Sequence, residues 1–338
     1  MGEKLTDLIK QVNKQYKTTL VSEGMPDENV ERIPFSSPRL NYMMYGGIPQ
    51  GRLVEFFGSE GGGKTTSALD IVKNAQKMFP DRRVLYIDCE RTLDTEWAKL
   101  LGVNIDELIL FRPETETAEQ IFEVALQFMD SGEISVCVLD SLGVMVSAQA
   151  YEKTMEERTY GGISQALTLF SRKAVPICAR TKCTFIGINQ MRDDMGSMYG
   201  GETTTGGKAW RHNCSVRLQF YKGTFIDEKG GSLTRGCENP AGNLVQSSII
   251  KTKVCRSDRR TGFYTLKYLE GIDYISDTID VAQKLDMILQ GGAWYSLLDK
   301  DTGEVIEKFQ GKDKLKTYLQ NNPKEYEKLI NKISQEIF

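Results

Sequence analysis

The chain has 338 residues, which is enough for about two or three domains, and its formal net charge is −3. Hydrophobic residues make up 40% and charged residues 26%, as in soluble globular proteins, and no run of about eighteen apolar residues predicts a membrane span. This charge balance leaves nucleic-acid binding open, because a local basic surface is sufficient for it. The 7 cysteines without a Cys-x-x-Cys pair and the 1 histidine disfavour a metal cluster and predict reduced thiols in a cytoplasmic protein.

The chain begins with an amphipathic segment. One helical face over residues 5–17 carries apolar side chains, namely Leu5, Leu8, Ile9, Val12 and Tyr16. A polar stretch over residues 22–31 follows. Because so short a helix cannot bury its apolar stripe alone, we expect it to pack on the core or on a neighbouring subunit.

A glycine-rich run over residues 58–66 fits the phosphate-loop pattern G-x-x-x-x-G-K-[ST]. An apolar segment over residues 52–57 predicts a buried strand before it, and residues 67–78 predict a helix after it. In this context Lys64 is expected to reach the β- and γ-phosphates, and Thr65 to offer its hydroxyl to Mg²⁺. The predicted ATP-binding residues of this run are Gly58, Ser59, Glu60, Gly61, Gly62, Gly63, Lys64, Thr65 and Thr66.

Strand and helix patterns alternate after this run. Residues 83–88, 134–140 and 183–189 are nearly continuous apolar segments, and residues 118–131 predict a helix between the first two of them. Continuous apolar strands alternating with helices indicate a parallel sheet that is covered on both faces. The fold class is therefore α/β.

Later segments differ in pattern. Residues 215–221, 247–254 and 262–269 alternate between apolar and polar side chains, which predicts antiparallel strands that extend the sheet. From about residue 270 the pattern is helical over residues 278–289 and 312–319, and a last helix is predicted to begin at Asn322-Pro323. These features predict a small C-terminal domain.

Polar residues stand where the predicted parallel strands end. Asp140 ends one strand, Asp88 and Glu90 lie at the end of another, and Asn189 and Gln190 at that of a third. Ligands bind at the carboxyl ends of such strands. We therefore expect Asp140 to serve a Mg²⁺ site, a carboxylate after the second strand to position the attacking water, and the amide pair to sense the γ-phosphate.

Two polar insertions follow these strands, at residues 151–162 and 191–207. The second is rich in glycine and threonine, and loops of this length inside a compact domain are functional or disordered. Backbone amides and hydroxyl groups donate to phosphodiester oxygens regardless of base sequence, and methionine or tyrosine side chains stack on bases. DNA binding and a disordered tether are both open readings of this segment.

Together these motifs resemble the RecA family of homologous-recombination strand-exchange ATPases, in its bacterial and phage form. The resemblance covers about residues 30–335 and rests on segments in the family's order: 46–66, 86–94, 138–141, 188–192, 202–207 and 292–296. It implies a RecA-like P-loop ATPase core with a mostly parallel central sheet, an N-terminal helix and a small α+β C-terminal domain. The implied domains are residues 1–32, 33–270 and 271–338.

The resemblance also assigns roles to individual residues. The residues that the resemblance implies for ATP hydrolysis are Lys64, Glu90, Gln190, Lys251 and Lys253. Glu90 matches the catalytic glutamate, Asp140 the Mg²⁺-site aspartate beside Thr65, and Gln190 the residue that couples γ-phosphate to DNA. Lys251 and Lys253 match a pair that reaches the ATP of the neighbouring subunit.

Further carried-over positions concern adenine and DNA. Asp94 and Trp97 fall where the family contacts and stacks on adenine, with Trp97 in place of the usual tyrosine. The insertions at residues 151–162 and 191–207 match the family's two DNA-binding loops. The residues that the resemblance implies for DNA binding are Arg172, Arg192, Met198, Tyr199, Thr205, Gly206 and Gly207. The chain departs from the family at Gln165, where an arginine is common, and at Asp193-Asp194, whose charges would repel phosphate. It also departs at Gln246 and Ser248, where basic residues that serve a second, duplex-binding site are common.

The implied function is a DNA-dependent ATPase that forms helical filaments on single-stranded DNA and catalyses homologous pairing and strand exchange in recombination, repair and the SOS response. Its cofactors would be ATP and Mg²⁺. Its partners would be single-stranded DNA, homologous duplex DNA, other copies of itself, and single-strand-binding and mediator proteins. A hexameric helicase or translocase, or a regulatory filament-forming DNA-binding protein on the same fold, are the alternatives.

Overall fold

The computed structural model describes residues 2–16, 21–22, 30–153, 162–193, 202–234, 236–299 and 302–337. These residues belong to two compact units, Met1–Glu31 and Arg32–Phe338. In the first unit, helix α1 spans Gly2–Tyr16, close to the predicted segment. The Asn13 side chain donates to the Val21 carbonyl at 2.8 Å and accepts from the Val21 amide at 3.0 Å, which connects Val21 to the helix.

The second unit alternates strands and helices through most of its length. Its helices are α2 Pro38–Met43, α3 Lys64–Met78, α4 Thr95–Leu100, α5 Ala118–Asp130, α6 Ala148–Tyr151, α7 Ser164–Thr181, α8 Gly207–Asn213, α9 Tyr274–Lys284, α10 Lys312–Asn321 and α11 Pro323–Ile337. Its strands are β1 Arg32–Ile33, β2 Ile48–Pro49, β3 Leu53–Gly58, β4 Arg83–Asp88, β5 Leu108–Phe111, β6 Ile134–Asp140, β7 Thr184–Asp193, β8 Glu202–Thr204, β9 Val216–Ile226, β10 Gly242–Thr252, β11 Thr261–Lys267, β12 Gly271–Ile272, β13 Ile288–Gly291, β14 Trp294–Leu298 and β15 Val305–Gln310.

The central sheet has the order β12-β11-β10-β9-β3-β7-β6-β4-β5, and β8 pairs with β7. Strands β9, β3, β7, β6, β4 and β5 are parallel, whereas β10, β11 and β12 continue the sheet from β9 by antiparallel pairing. The predicted α/β fold with a mostly parallel sheet and an antiparallel extension is confirmed.

The parallel strands are apolar along their length because each face of the sheet packs against a hydrophobic core. Along β6, Val136 and Val138 point into one core with α3, whereas Cys137 and Leu139 point into the other with α5 and α7. Every residue of β6 is buried, so this strand lacks the alternating pattern of a half-exposed strand. All 7 cysteines are free thiols, and no helix among the described residues is long and apolar enough to cross a membrane.

The C-terminal region corrects one predicted element. The helix expected over residues 278–289 is instead α9, which ends at Lys284, followed by the strand Ile288–Gly291. Helix α9 begins earlier because the Asp273 carboxylate caps it, accepting from the Ser276 amide at 3.2 Å. Strands β13, β14 and β15 form a small antiparallel sheet over a separate core with α9, α10 and α11, consistent with an α+β C-terminal domain.

A buried carboxylate in α9 gives the fold a pH dependence. Burial raises the pKa of Asp277 to about 7, although the Arg39 Nη1, 4.0 Å from Asp277 Oδ1, opposes the shift. Nearby Asp273 and Asp280 raise the pKa of Asp277 further. Because an unfolded aspartate ionises near pH ~4, the unfolded chain releases a proton that the folded chain retains between about pH 4 and 7.

We therefore expect Asp277→Asn to stabilise the protein relative to the wild type, increasingly so from pH 5 to pH 7. The wild-type penalty grows by at most about 1.4 kcal/mol per pH unit in this range and levels off above pH ~7. Thermal unfolding of both proteins at pH 5, 6 and 7 measures it. A difference in unfolding midpoint that stays constant with pH would contradict this assignment.

Candidate nucleotide and nucleic-acid site

The phosphate loop connects β3 to α3 and requires glycine at two closely packed positions. A Cβ atom on Gly58 would lie 2.1 Å from the Phe220 carbonyl oxygen in β9, and one on Gly63 would lie 2.8 Å from Val245 in β10. Gly63 has φ 90° and immediately precedes α3. The loop therefore lies tightly against the sheet with the N-terminus of α3 behind it, an arrangement that suits a phosphate group.

The Lys64 side chain lies folded onto this loop. Its Nζ donates to the Ser59 carbonyl at 2.7 Å and to the Gly58 carbonyl at 3.1 Å. Burial lowers the pKa of Lys64, while Asp140, Glu90 and Glu60 raise it in part. The ammonium group is thus held inside the loop by neutral carbonyl groups, which a phosphate anion can replace as its partners.

Asp140, the last residue of β6, accepts hydrogen bonds from two hydroxyl groups. Its Oδ2 accepts from Thr65 Oγ1 at 2.8 Å and from the Tyr86 hydroxyl at 2.9 Å. Burial raises the pKa of Asp140, and these hydrogen bonds lower it in part. Burial, followed by the charge of Asp140, raises the pKa of Tyr86, so its hydroxyl stays a donor.

The side-chain oxygen atoms of Thr65 and Asp140 form a site that fits Mg²⁺ in the way that phosphate-loop proteins bind it. No group of three or more histidine, cysteine or acidic side chains that could hold a metal exists among the residues described above. A hydroxyl and a carboxylate, Thr65 and Asp140, are however adjacent, and hard oxygen ligands of this kind bind Mg²⁺ together with substrate phosphates.

Glu90, two residues after β4, contacts Gln190, the residue of β7 at which the parallel pairing with β3 ends. Glu90 Oε1 accepts from the Gln190 Nε2 at 3.1 Å and from the Ser141 hydroxyl. Gln190 is the register partner of Gly58 in the parallel pair β3 and β7, so the amide stands beside the start of the phosphate loop. The Asn189 side chain points elsewhere, donating to Glu55 Oε1 and to the Thr205 carbonyl, both at 2.8 Å, so of the predicted amide pair only Gln190 lies beside the phosphate loop.

The sequence did not identify Ser141 and Tyr86 as parts of this site. Ser141 directly follows Asp140, and its position at the end of a predicted strand was the sequence signal that could have identified it. Tyr86 lies inside an apolar strand, and only the pairing of β4 with β6 shows that its hydroxyl reaches Asp140. Asp88, by contrast, binds the loop after β4 through the Thr92 amide at 3.1 Å and the Leu93 amide at 3.2 Å.

The predicted adenine residues have structural contacts of their own. The Asp94 carboxylate caps α4, accepting from the Glu96 amide at 2.9 Å and the Trp97 amide at 3.0 Å. Trp97 packs against the core on the α3 side of the sheet. Within the described part of the chain, neither side chain hydrogen-bonds to the phosphate loop.

Lys251 in β10 and Lys253 just after this strand both contact the C-terminal end of α8. Lys251 Nζ donates to the Arg211 and His212 carbonyls, both at 2.6 Å, and Lys253 Nζ donates to the His212 carbonyl at 2.8 Å. Burial and then the charge of Lys253 lower the pKa of Lys251. Both cations thus stabilise the C-terminus of this helix, and no hydrogen bond or ion pair between described residues joins them to the phosphate loop of their own chain.

The two insertions are described only in part. Residues 154–161 of the first and 194–201 of the second, with the predicted DNA residues Met198 and Tyr199, lie outside the described residues. The limbs of the second insertion pair as β7 and β8, with Met191 opposite Thr204 and Arg192 opposite Thr203. Arg192 Nη2 donates to the Gly143 carbonyl at 2.6 Å.

Predicted DNA residues from distant parts of the chain share one groove. Arg172 in α7 lines it together with Gly206 and Gly207 at the start of α8, and its volume is about 490 Å³. The other lining residues are Ser164, Gln165, Thr168, Leu169, Lys208 and Ala209. Thr205, the residue before the glycines, has its hydroxyl buried without a hydrogen-bond partner in the described structure.

Comparison with known proteins agrees with these features. The RecA N-terminal domain matches residues 3–273, and the RecA C-terminal domain matches residues 276–337. The chain is 34% identical to the protein named Protein RecA of Rickettsia bellii over 336 residues, covering 97% of this chain and 92% of that protein. It is 36% identical over 297 residues to Protein RecA of Fusobacterium nucleatum, covering 87% and 74%, and 34% identical over 307 residues to Protein RecA of Ruminococcus albus, covering 90% and 72%. The chain therefore belongs to the RecA family of recombinases.

Proposed function

We propose that this chain is a DNA-stimulated ATPase that forms helical filaments on single-stranded DNA and catalyses homologous pairing and strand exchange. The observation that carries the proposal is the position of β7 between two sites. Within β7, Gln190 contacts Glu90 beside the phosphate loop, and the strand continues to Asp193 and pairs with β8, which leads to the Arg172 and Gly206 groove. Nucleotide chemistry and DNA binding therefore share one structural element.

ATP and Mg²⁺, when bound, supply the phosphoryl group that reacts and a cation that offsets its charge. Lys64 would exchange its loop carbonyl partners for phosphate oxygens, and Thr65 and Asp140 would hold the cation. Glu90 is oriented by Ser141 and Gln190, and its carboxylate accepts a proton from the attacking water. The hydrogen bonds to Glu90 fix its direction before the substrate arrives.

Gln190 is the residue through which we connect hydrolysis with DNA. Its amide contacts Glu90, while Met191 and Arg192 directly after it begin the second insertion. If the γ-phosphate draws the amide away from Glu90, the start of the insertion moves with it. ATP would thereby favour the conformation that grips DNA, and hydrolysis would release it, which is a population shift between two states.

Assembly completes the proposal. Lys251 and Lys253 would reach the ATP of a neighbouring subunit, and Asp94 and Trp97 would bind adenine. Helix α1 would pack on the next subunit. The proposed domains are residues 1–32, 33–270 and 271–338. The remaining assigned partners are homologous duplex DNA and single-strand-binding and mediator proteins in the cytoplasm. Since part of the charge stabilisation would come from a second chain, hydrolysis is expected to require the filament.

The direct test is ATP hydrolysis with and without single-stranded DNA. We expect strong stimulation by DNA in the wild type and a loss of about 10²-fold or more in Glu90→Gln, which keeps the shape of the side chain but cannot accept the proton. Wild-type hydrolysis that is indifferent to DNA would contradict the proposal and favour a regulatory ATPase on this fold. A strand-displacement assay separates strand exchange from helicase activity.

Gln190→Ala isolates the coupling step. The variant should still bind ATP, because Lys64, Thr65 and Asp140 are intact, but it should lose stimulation of hydrolysis by DNA. Gln283→Ala, which removes a glutamine of α9 in the C-terminal region, is the matched control and should retain stimulation. Stimulation of Gln190→Ala equal to that of the control would refute the role given to this amide.

A further inference from the structure

A carboxylate in the middle of β3 is completely buried. Glu55 is 0% exposed, and its side chain accepts hydrogen bonds from 3 other elements of the unit. Oε1 accepts from Asn189 Nδ2 of β7 at 2.8 Å and from Trp210 Nε1 of α8 at 2.9 Å, and Oε2 accepts from Arg217 Nε of β9. These contacts satisfy a buried charge that would otherwise be strongly destabilising.

The sheet register explains how these groups meet. Glu55 is opposite Gly187 of β7 on one side and Arg217 of β9 on the other. A Cβ atom at Gly187 would lie 3.0 Å from Trp210 Cζ2, so the glycine leaves the space in which the indole ring crosses β7. Trp210 is 0% exposed, and its ring packs edge-on against Phe185 with centroids 6.1 Å apart.

The same donors also hold the returning limb of the second insertion. Asn189 Nδ2 donates to the Thr205 carbonyl at 2.8 Å, and Asn189 Oδ1 accepts from the Gln190 amide at 3.0 Å. Arg217 Nη2 donates to the Thr204 hydroxyl at 3.1 Å. Thr204 and Thr205 are therefore connected to β3 through side chains that Glu55 holds in place.

We propose that Glu55 is a positioning residue that couples the returning limb, Thr204–Gly207, to β3 and the phosphate loop. It contacts neither the phosphate loop nor the groove and acts through Asn189, Trp210 and Arg217. A displacement of the limb moves Asn189 against Glu55 and moves the backbone of Gln190 at the same time. This inference rests on the proposed DNA-stimulated hydrolysis and adds a connection independent of the Gln190 amide side chain.

Two conservative variants test it without leaving the carboxylate unpaired. Trp210→Phe removes one hydrogen bond to Glu55 and keeps an aromatic ring, and Thr204→Val removes the hydroxyl that Arg217 contacts while keeping the side-chain shape. Trp294→Phe in β14 and Thr317→Val in α10 are the matched controls. Thermal unfolding of all four proteins measures how much stability each substitution removes.

The functional readout is ATP hydrolysis as a function of ATP and of single-stranded DNA concentration. We expect kcat and KM for ATP without DNA to remain unchanged in Trp210→Phe and Thr204→Val. The DNA concentration that gives half-maximal stimulation should rise about tenfold, as expected for the loss of one hydrogen bond to a charged group. The controls should match the wild type in both measurements.

The outcomes separate this inference from the function on which it rests. If the wild type is not stimulated by DNA, the proposed function itself fails. If the wild type is stimulated and both variants match it, the coupling role of Glu55 is overturned while the proposed function stands. Trp210→Phe and Thr204→Val could instead lose hydrolysis equally with and without DNA and unfold at a lower temperature. The contacts of Glu55 would then only stabilise the core, which would also overturn the coupling role.

Discussion

Parallel register along the central sheet is the constraint on which the site depends. Gly58 pairs with Gln190 between β3 and β7, and Asp88 pairs with Asp140 between β4 and β6, so these strands end at one edge. No single segment of sequence contains the site, because each strand supplies one or two of its side chains. A slip of one residue in any strand would turn its terminal side chain to the opposite face.

Two charged side chains are buried at this edge, and their hydrogen-bond partners are neutral groups. Asp140 is 6% exposed and Lys64 is 8% exposed, and each is held by groups of the chain itself. Leaving a buried polar group without its hydrogen-bond partner costs about 1–3 kcal/mol, and more for a charged group, so both side chains depend on the surrounding hydrogen bonds. The same network makes the site responsive, because a bound phosphate or cation changes which partners are available.

Much of the geometry of the candidate nucleotide site was predictable from the sequence, because its signals are local. The phosphate loop was identified from consecutive residues, and the polar residues at strand ends from the apolar runs before them. The roles of Tyr86 and Ser141 required the pairing of β4 with β6, which lies outside any local pattern. The Glu55 cluster was also invisible, since a charged residue within an apolar strand gives no indication of its partners on β7, α8 and β9.

The C-terminal region shows the limit of periodicity more directly. Helical spacing was extended through residue 289, but Ile288–Gly291 pairs with Trp294–Leu298 as a hairpin. A strand of this length is too short to show alternation, so the tertiary pairing decided its conformation. In the single chain Asp94 caps α4, Trp97 packs on the core, and Lys251 and Lys253 contact the end of α8. The adenine contacts of the first two and the subunit-interface role of the lysine pair remain predictions.

Nucleotide and DNA are proposed to bind to one coupled system. This coupling is tested by the affinity for single-stranded DNA at fixed salt concentration, with and without a non-hydrolysable ATP analogue and Mg²⁺. We expect at least about tenfold tighter DNA binding with the analogue, and an equal gain in analogue affinity with DNA, because binding free energies are reciprocal. Equal DNA affinity with and without the analogue, while the analogue itself binds, would show that the two sites are not coupled.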